Sequence, residues 1–263
     1  MSTEVYWFSG TGNSLHAARR IAEGLGDSEL VPIAGSVGGV EALPERLGLV
    51  FPVYAWGPPS IVADFIEEMP AGSPEYVFAV ATCGASAGSA MSITRRLLKK
   101  RGISLDAELT VKMVGNYPPM GGAPGPEKAG KRLEEAEKDL DAVVGRLKDG
   151  FRGRQGGTNP FFRVLGRVVY PLFRKHVSDS AGRFAADDRC TSCGICVRLC
   201  PVSNIELGED GRPVWGDRCQ QCYACFHWCP EEAVQYGRKT ADQNRYHHPG
   251  VSQDDMLEQG GGA

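Results

Sequence analysis

The chain has 263 residues, 29 Lys+Arg against 32 Asp+Glu, a formal net charge of −3 and 42% hydrophobic residues. That length exceeds a typical domain of ~100–150 residues and predicts two domains, the larger with a true core. The mild acidity removes any electrostatic case for nucleic-acid binding, the start MSTEVYWFSG lacks the cationic and apolar regions of a signal peptide, and no apolar run reaches the ~18 residues of a membrane span, so a cytoplasmic protein is expected.

Val5 to Phe8 is a β-branched and aromatic run that ends in Ser9-Gly10-Thr11-Gly12-Asn13-Ser14, after which Leu15, Ala18, Ile21 and Ala22 recur at helical spacing. Strand, polar loop and helix in that order present N–H groups and hydroxyls at a helix N-terminus, where a phosphate dianion is favoured. G-x-G-x-x-G would need Gly where Leu15 stands, and the Gly-Lys pair of Walker A is missing. Ser-x-Thr-Gly-Asn-Ser after a first strand resembles instead the flavodoxin loop that holds the FMN phosphate; a Gly/Ser turn capping a helix is the alternative.

Strands are predicted at 30–33, 47–53, 76–81 and 109–114, and helices at 59–69, 86–101 and 126–147. The alternation predicts a doubly wound α/β domain with a flavodoxin-like five-stranded parallel sheet of order 2-1-3-4-5 over residues 1–150. Three further loops then fall at the carboxyl edge beside the phosphate loop. Pro52 and Tyr54-Ala55-Trp56-Gly57 follow strand three and offer flat aromatics for an isoalloxazine ring. Thr82-Cys83-Gly84 follows strand four, and Asn116-Tyr117 follows strand five. Cys83 reads as a small core-edge residue, with a reactive thiol as the sharper alternative.

Gly-rich residues 150–160 mark a boundary, so 151–183 is expected to be a linker with a basic amphipathic helix. Phe161, Leu165, Val168, Val169 and Leu172 share one face of that helix, opposite Arg163, Arg167 and Arg174. The apolar face is expected to dock the domains together, a membrane surface being the alternative, and Pro171 should kink or end the helix.

Cys190, Cys193, Cys196 and Cys200-Pro201 are followed by Cys219, Cys222, Cys225 and Cys229-Pro230, two C-x2-C-x2-C-x3-C-P runs at a constant offset of 29. This is a known bacterial [4Fe–4S] ligand run, in which the fourth cysteine serves the other cluster. One cluster is therefore assigned to Cys190, Cys193, Cys196 and Cys229, and the second to Cys219, Cys222, Cys225 and Cys200, within a ferredoxin domain at 184–236. Structural zinc usually spaces its CxxC pairs further apart, and a zinc-stabilised interaction module remains an alternative. Asp210-Gly211 between two short apolar runs signals a hairpin. Short helices are expected after the two prolines, and Ile195, Val197, Phe226 and Trp228 should keep water from the cubes. His227 reads as a lone exposed packing residue, and His247-His248 lacks metal partners. Residues 237–263 form a polar tail, expected to be disordered from Gly250.

From SGTGNS through PVYAWGPP, ATCG and GNY to the double cysteine run and RYHHP, the chain resembles the EFR-type ferredoxin family, flavodoxin-like domains fused to two-cluster ferredoxin domains. The resemblance implies FMN, two [4Fe–4S] clusters and a redox role. FMN exchanges electrons in pairs or singly and each cluster exchanges one, so the expected function is electron transfer that couples the two regimes. A flavin-dependent reductase of a small organic substrate or NAD(P)H, fed by the clusters, is the alternative. The expected partner is a ferredoxin, a reductase or a small electron carrier, and the oxygen sensitivity of such clusters makes an anaerobic host the expected setting.

Overall fold

A computed structural model describes residues 2–155 and 160–259 of the chain, apart from the Arg163 side chain. Gly156-Gly157 of the expected boundary and residues 260–263 of the expected tail lie outside the described residues. The first domain runs β1 (Thr3–Trp7), α1 (Asn13–Leu25), β2 (Ser28–Pro32), β3 (Arg46–Pro52), α2 (Ser60–Glu68), β4 (Tyr76–Cys83), α3 (Ala90–Lys100), β5 (Ala107–Lys112), α4 (Pro126–Lys148) and β6 (Gly153–Arg154). Its strands are all parallel in the order β2-β1-β3-β4-β5-β6. The first five strands follow the doubly wound flavodoxin-like order. The sixth, two residues in the segment expected to be linker, pairs Gly153 with Ala107 and Arg154 with Glu108.

Alternation along β1 explains the two layers. Val5 and Trp7 face a core built with Leu15 and Ile21 of α1 and Leu140 and Val143 of α4. Tyr6 and Phe8 face the opposite core, with Ile61 and Phe65 of α2 and Leu97 of α3. All eight residues of β4 are buried, as the central strand of a doubly covered sheet requires. Fully burying a side chain such as Phe51 or Ile21 contributes ~1.5–3 kcal/mol.

Beyond it lie α5 (Pro160–His176), β7 (Phe184–Ala186), α6 (Ile195–Arg198), β8 (Ile205–Leu207), β9 (Pro213–Trp215), α7 (Ala224–His227), β10 (Val234–Tyr236) and α8 (Gln253–Leu257). β8 and β9 form the hairpin turned at Asp210-Gly211, and β7 pairs antiparallel with β10. The short helices α6 and α7 contain the third cysteine of each run, Cys196 and Cys225, and end before the fourth, so the expectation of helices after the prolines is corrected: the x3 spacing needs one helical turn to carry the fourth cysteine away from the first three. The left-handed residues Ser192, Gly194 and Ser203 recur 29 positions on as Gln221, Tyr223 and Glu232, so the sequence repeat is also a backbone repeat.

Two other expectations are corrected. α5 holds Pro171 within it and ends at His176, and its docking face is not the expected one: it docks through Gly166 and Tyr170, with Phe162 and Phe173 stacked beside them. Phe161, Val164, Val168 and Leu172 are exposed, at 59–65%. The packing partners are aromatic loops, and a bare Gly166 lets the helix approach where a branched residue would not. The described part of the tail is packed on the protein: Val251, Met256 and Gln259 are buried, and α8 starts with a reciprocal Ser252/Asp255 capping box. Polar composition concealed this because three buried residues spread over nine give no periodic signal. Among the described residues no helix is long and apolar enough to cross a membrane.

Candidate functional site

The eight clustered cysteines fall into two groups of four. Burial pushes the Cys196 thiol up to about 11, and Cys190, Cys193 and Cys229 line one cavity with it. Burial likewise raises Cys222 and Cys225, whose negative neighbours are drawn from Cys200, Cys219 and Cys222. Each group thus takes three cysteines from one run and the last from the other. Thiolates crowded in this way repel one another unless a cation joins them, which is the donor chemistry of a metal centre.

The first group lines a cavity closed by Ile195, Leu207, Pro213 and Val234, and its Cys193 is exposed. The second group lies deeper. Backbone N–H groups of Asn204 and Gln221 donate to the Sγ atoms of Cys200 and Cys219, at 3.2 and 3.4 Å, the kind of contact that tunes a cluster. Phe226 is fully buried and Trp228 nearly so, as expected of residues that exclude water, while Ile195 and Val197 are half-buried. The donor sets therefore fit [4Fe–4S] clusters, three thiolates plus one in each case.

The second cysteine run is joined to the carboxyl edge of the sheet by specific bonds. Trp228 Nε1–H donates to the Gly10 carbonyl at 3.1 Å, and the Gln220 Oε1 accepts from Ile61 N–H at 3.0 Å, satisfying the first turn of α2. His227 is 2% exposed, a correction to the expected exposed residue. Its Nδ1 accepts from Tyr246 N–H at 3.2 Å, so Nε2 carries the proton and donates to the Asn116 carbonyl at 2.9 Å. Burial holds its pKa down to about 3, so it stays neutral.

The Ser9–Ser14 loop sits after β1 as expected, and Gly12 has the left-handed backbone (φ 88°) that opens α1. All six residues are buried, and the polar side chains among them are engaged by protein. Ser9 Oγ accepts from Gly12 N–H, Asn116 Nδ2–H donates to Thr11 Oγ1, and Ser14 Oγ shares a hydrogen bond with Thr82 Oγ1. Asn13 donates to the Val114 carbonyl and accepts from Tyr246 Oη–H.

The aromatics expected to bracket a flavin part company. Tyr54 and Gly57 exchange backbone bonds of 2.9 and 2.8 Å around Ala55 and Trp56, both at positive φ. That turn sends the Trp56 ring to stack on Phe162 and the Tyr54 ring to sit edge-on between Phe8 and Phe173. Tyr117 goes edge-on to Tyr223. Pro52 ends β3 half-buried, Gly84 is exposed, and Cys83 is buried with its thiol pushed up to about 11 by desolvation, which favours the inert reading. The Trp56, Tyr54 and Tyr117 rings thus each pack against another part of the chain.

His16, Glu137 and His248 bring ligand atoms within 4.8 Å of one another. The His248 Nδ1 accepts from Gly250 N–H, which puts the proton on Nε2, and the two imidazoles stack at 3.9 Å with planes 21° apart, so their lone pairs do not converge on one ion. Arg20 holds the other Glu137 oxygen. The trio is a polar stack that secures the tail. Sequence reading missed Gln220, Trp228, Tyr246, His248 and Gln259 as contacts with the sheet edge; only the aromatic, histidine-rich RYHHP segment carried any signal.

Residues 189–234 match the family described as a 4Fe-4S dicluster domain. No curated protein matches the chain at a significant level. Among solved structures, the chain is similar to a Streptococcus pneumoniae TIGR4 flavodoxin, at 15% identity and TM-score 0.35 over 54% of this chain and 99% of that one. It is similar too to a cysteine-to-serine mutant of a flavodoxin from Pseudomonas aeruginosa, at 16% identity and TM-score 0.39 over 56% and 99%. A two-electron reduced Megasphaera elsdenii flavodoxin gives 17% identity and TM-score 0.33 over 54% and 99%. The flavodoxin-like assignment rests on strand order and connections, and the chain joins such a domain to an iron–sulfur domain of the electron-transfer kind.

Proposed function

We propose that this chain is an electron-transfer protein that carries two [4Fe–4S] clusters, one on Cys190, Cys193, Cys196 and Cys229 and the other on Cys219, Cys222, Cys225 and Cys200. The observation that carries the reading is the single cavity lined by Cys190, Cys193 and Cys196 of the first run together with Cys229, the last cysteine of the second. When bound, such clusters each supply one-electron redox chemistry at thiolate-ligated iron. The chain contributes placement, water exclusion and N–H···S contacts. Cys193 gives the first group an exposed end. A groove lined by Ala34, Val37, Ile61, Val202 and Arg218 reaches Cys219 of the second group from another side. Two accessible ends suit a short relay between a donor and an acceptor, either a redox protein or a small electron carrier.

Anaerobic purification tests this: about eight irons with matching sulfide per chain and two one-electron couples are expected. Stoichiometric zinc with no iron would sink it. A second reading couples the clusters to FMN, supported by the position of Ser9–Ser14 directly after β1 at the edge of a 2-1-3-4-5 sheet. It requires the loop to open, and the flavin content of the same preparation separates the two readings.

A further inference from the structure

The geometry points to a role for the Ser9–Ser14 loop other than holding a flavin phosphate: it is the closed seat of the second cysteine run, covering from water the Cys222 side of the Cys200, Cys219, Cys222 and Cys225 group. This rests on the two-cluster reading of those cysteines.

Five contacts close the loop. A Cβ built on Gly10 would stand 2.2 Å from the Cys222 carbonyl oxygen and 3.2 Å from Tyr54 Oη, so the cysteine run and a tyrosine lie directly on the glycine. On Gly12 the corresponding atom would meet Val251 and His248 at 3.0–3.2 Å, so the tail covers the loop's second glycine. Trp228 bonds the Gly10 carbonyl, and His248 N–H bonds the Thr11 carbonyl at 2.8 Å. Gln259 takes both the N–H and the carbonyl of Ser9.

The neighbouring aromatic site is filled in the same way. α5 supplies Phe162 against Trp56, and a Cβ on Gly57 would lie 2.1 Å from the Tyr170 ring. The loops that would hold the phosphate and the ring are therefore both occupied by parts of the same chain. Small glycines, which in a phosphate loop let backbone approach an anion, here let it approach the backbone of a cluster ligand.

The Tyr54 phenol supplies a further measure of proximity. A Cβ built on Gly10 would have the Tyr54 Oη at 3.2 Å and the Cys222 carbonyl oxygen at 2.2 Å, and the Tyr54 ring packs edge-on to Phe8 at the end of β1. Tyr54 thus stands between the loop and the second thiol group. Solvent exposure is one of the main determinants of cluster potential, because water stabilises the more negative reduced form. Closing the seat lowers the potential of the second cluster, and loosening it raises that potential while leaving the first cluster alone.

The test uses the anaerobically purified full-length holoprotein. Titration with FMN, followed by flavin fluorescence, is expected to give no saturable binding; co-purifying or stoichiometric FMN would overturn the proposal. In EPR-monitored redox titrations, Gly10→Ala and the milder Trp228→Phe are each expected to shift one couple upward and leave the other in place. Two unmoved couples in Trp228→Phe overturn the seat even where Gly10→Ala fails to fold. A wild-type protein with no iron–sulfur couples would sink the two-cluster reading instead, and the FMN titration then still decides whether the loop is closed.

Discussion

Gln259 clasps Ser9 with both ends of its carboxamide, Oε1 accepting from the Ser9 N–H at 2.6 Å and Nε2 donating to the Ser9 carbonyl at 2.8 Å. The two residues stand 250 positions apart, and both are about 1% exposed. Removing the carboxamide leaves a buried N–H without its acceptor. Gln259→Ala is expected to cost about 2 kcal/mol, read as a lowered thermal midpoint together with faster proteolysis of residues 244–259. Unchanged proteolysis would show that the clasp does not hold the tail.

The crossed thiol grouping predicts which cluster each cysteine serves. Cys200→Ala should erase the same EPR signal as Cys222→Ala, although Cys200 belongs to the first run. Cys229→Ala should pair with Cys193→Ala. Each substitution is expected to lower the iron content by as much as about four atoms per chain. Signals that follow the runs in sequence would replace the crossed assignment.

Acid should loosen the tail through His248. This residue is 4% exposed, and desolvation, with His16 and His247 nearby, holds its pKa down to about 3. The groups facing it are His16 on α1, Glu137 on α4 bonded to His16, and Arg20 on the far Glu137 oxygen. A lowered histidine pKa means that the unfolded chain binds the proton first. The stabilisation is therefore complete above about pH 6.5 and declines as pH falls toward 3. Protection factors across 246–251, measured against the intrinsic exchange rate at each pH, should fall from about pH 7 to about pH 5, and His248→Gln should flatten that response. Equal pH dependence in both proteins would rule His248 out as its source.

Gly57 and Tyr170 are coupled by contact. The Tyr170 ring would lie 2.1 Å from a Cβ at position 57, so Gly57→Ala is expected to destabilise by ~1–3 kcal/mol. Adding Tyr170→Ala should recover part of that loss in a double-mutant cycle, because the clash is removed with the ring. Additive losses would mean that α5 does not rest on this turn.

Tyr170 offers a sharper single change. Its Oη is buried and has no hydrogen-bond partner among the described residues. Tyr170→Phe keeps the packing and removes a desolvated hydroxyl, so it should stabilise the chain by about 1 kcal/mol, measured by denaturant unfolding of the apoprotein. A loss of stability would indicate a partner for that hydroxyl.

Much of the fold was legible because its signals are local. Strand-loop-helix order, the 3.6-residue period of α1 and the all-apolar β4 each lie within a short window, and right-handed crossovers then leave few sheet orders. The cysteine runs were legible for the same reason, since their spacing encodes a tight loop. The docking face of α5 was misread: hydrophobicity selected Phe161, Val168 and Leu172, whereas the contact is made by Gly166, Tyr170 and two flanking phenylalanines. Periodicity finds an apolar stripe, and the shape of the partner decides which stripe is covered.

The sequence by itself determined two units: a flavodoxin-like parallel sheet with a glycine-rich loop after its first strand, and eight cysteines in two repeated runs. Each follows from residue chemistry over a few positions. Only the tertiary structure decided what the loop faces. Ser9–Ser14 carries the same groups whether an anion or another stretch of chain lies on it, and the contacts that choose between them come from the distant Cys222, Trp228, His248 and Gln259. Backbone donors and glycines accept any partner that fits; which partner arrives is set by the path of the whole chain.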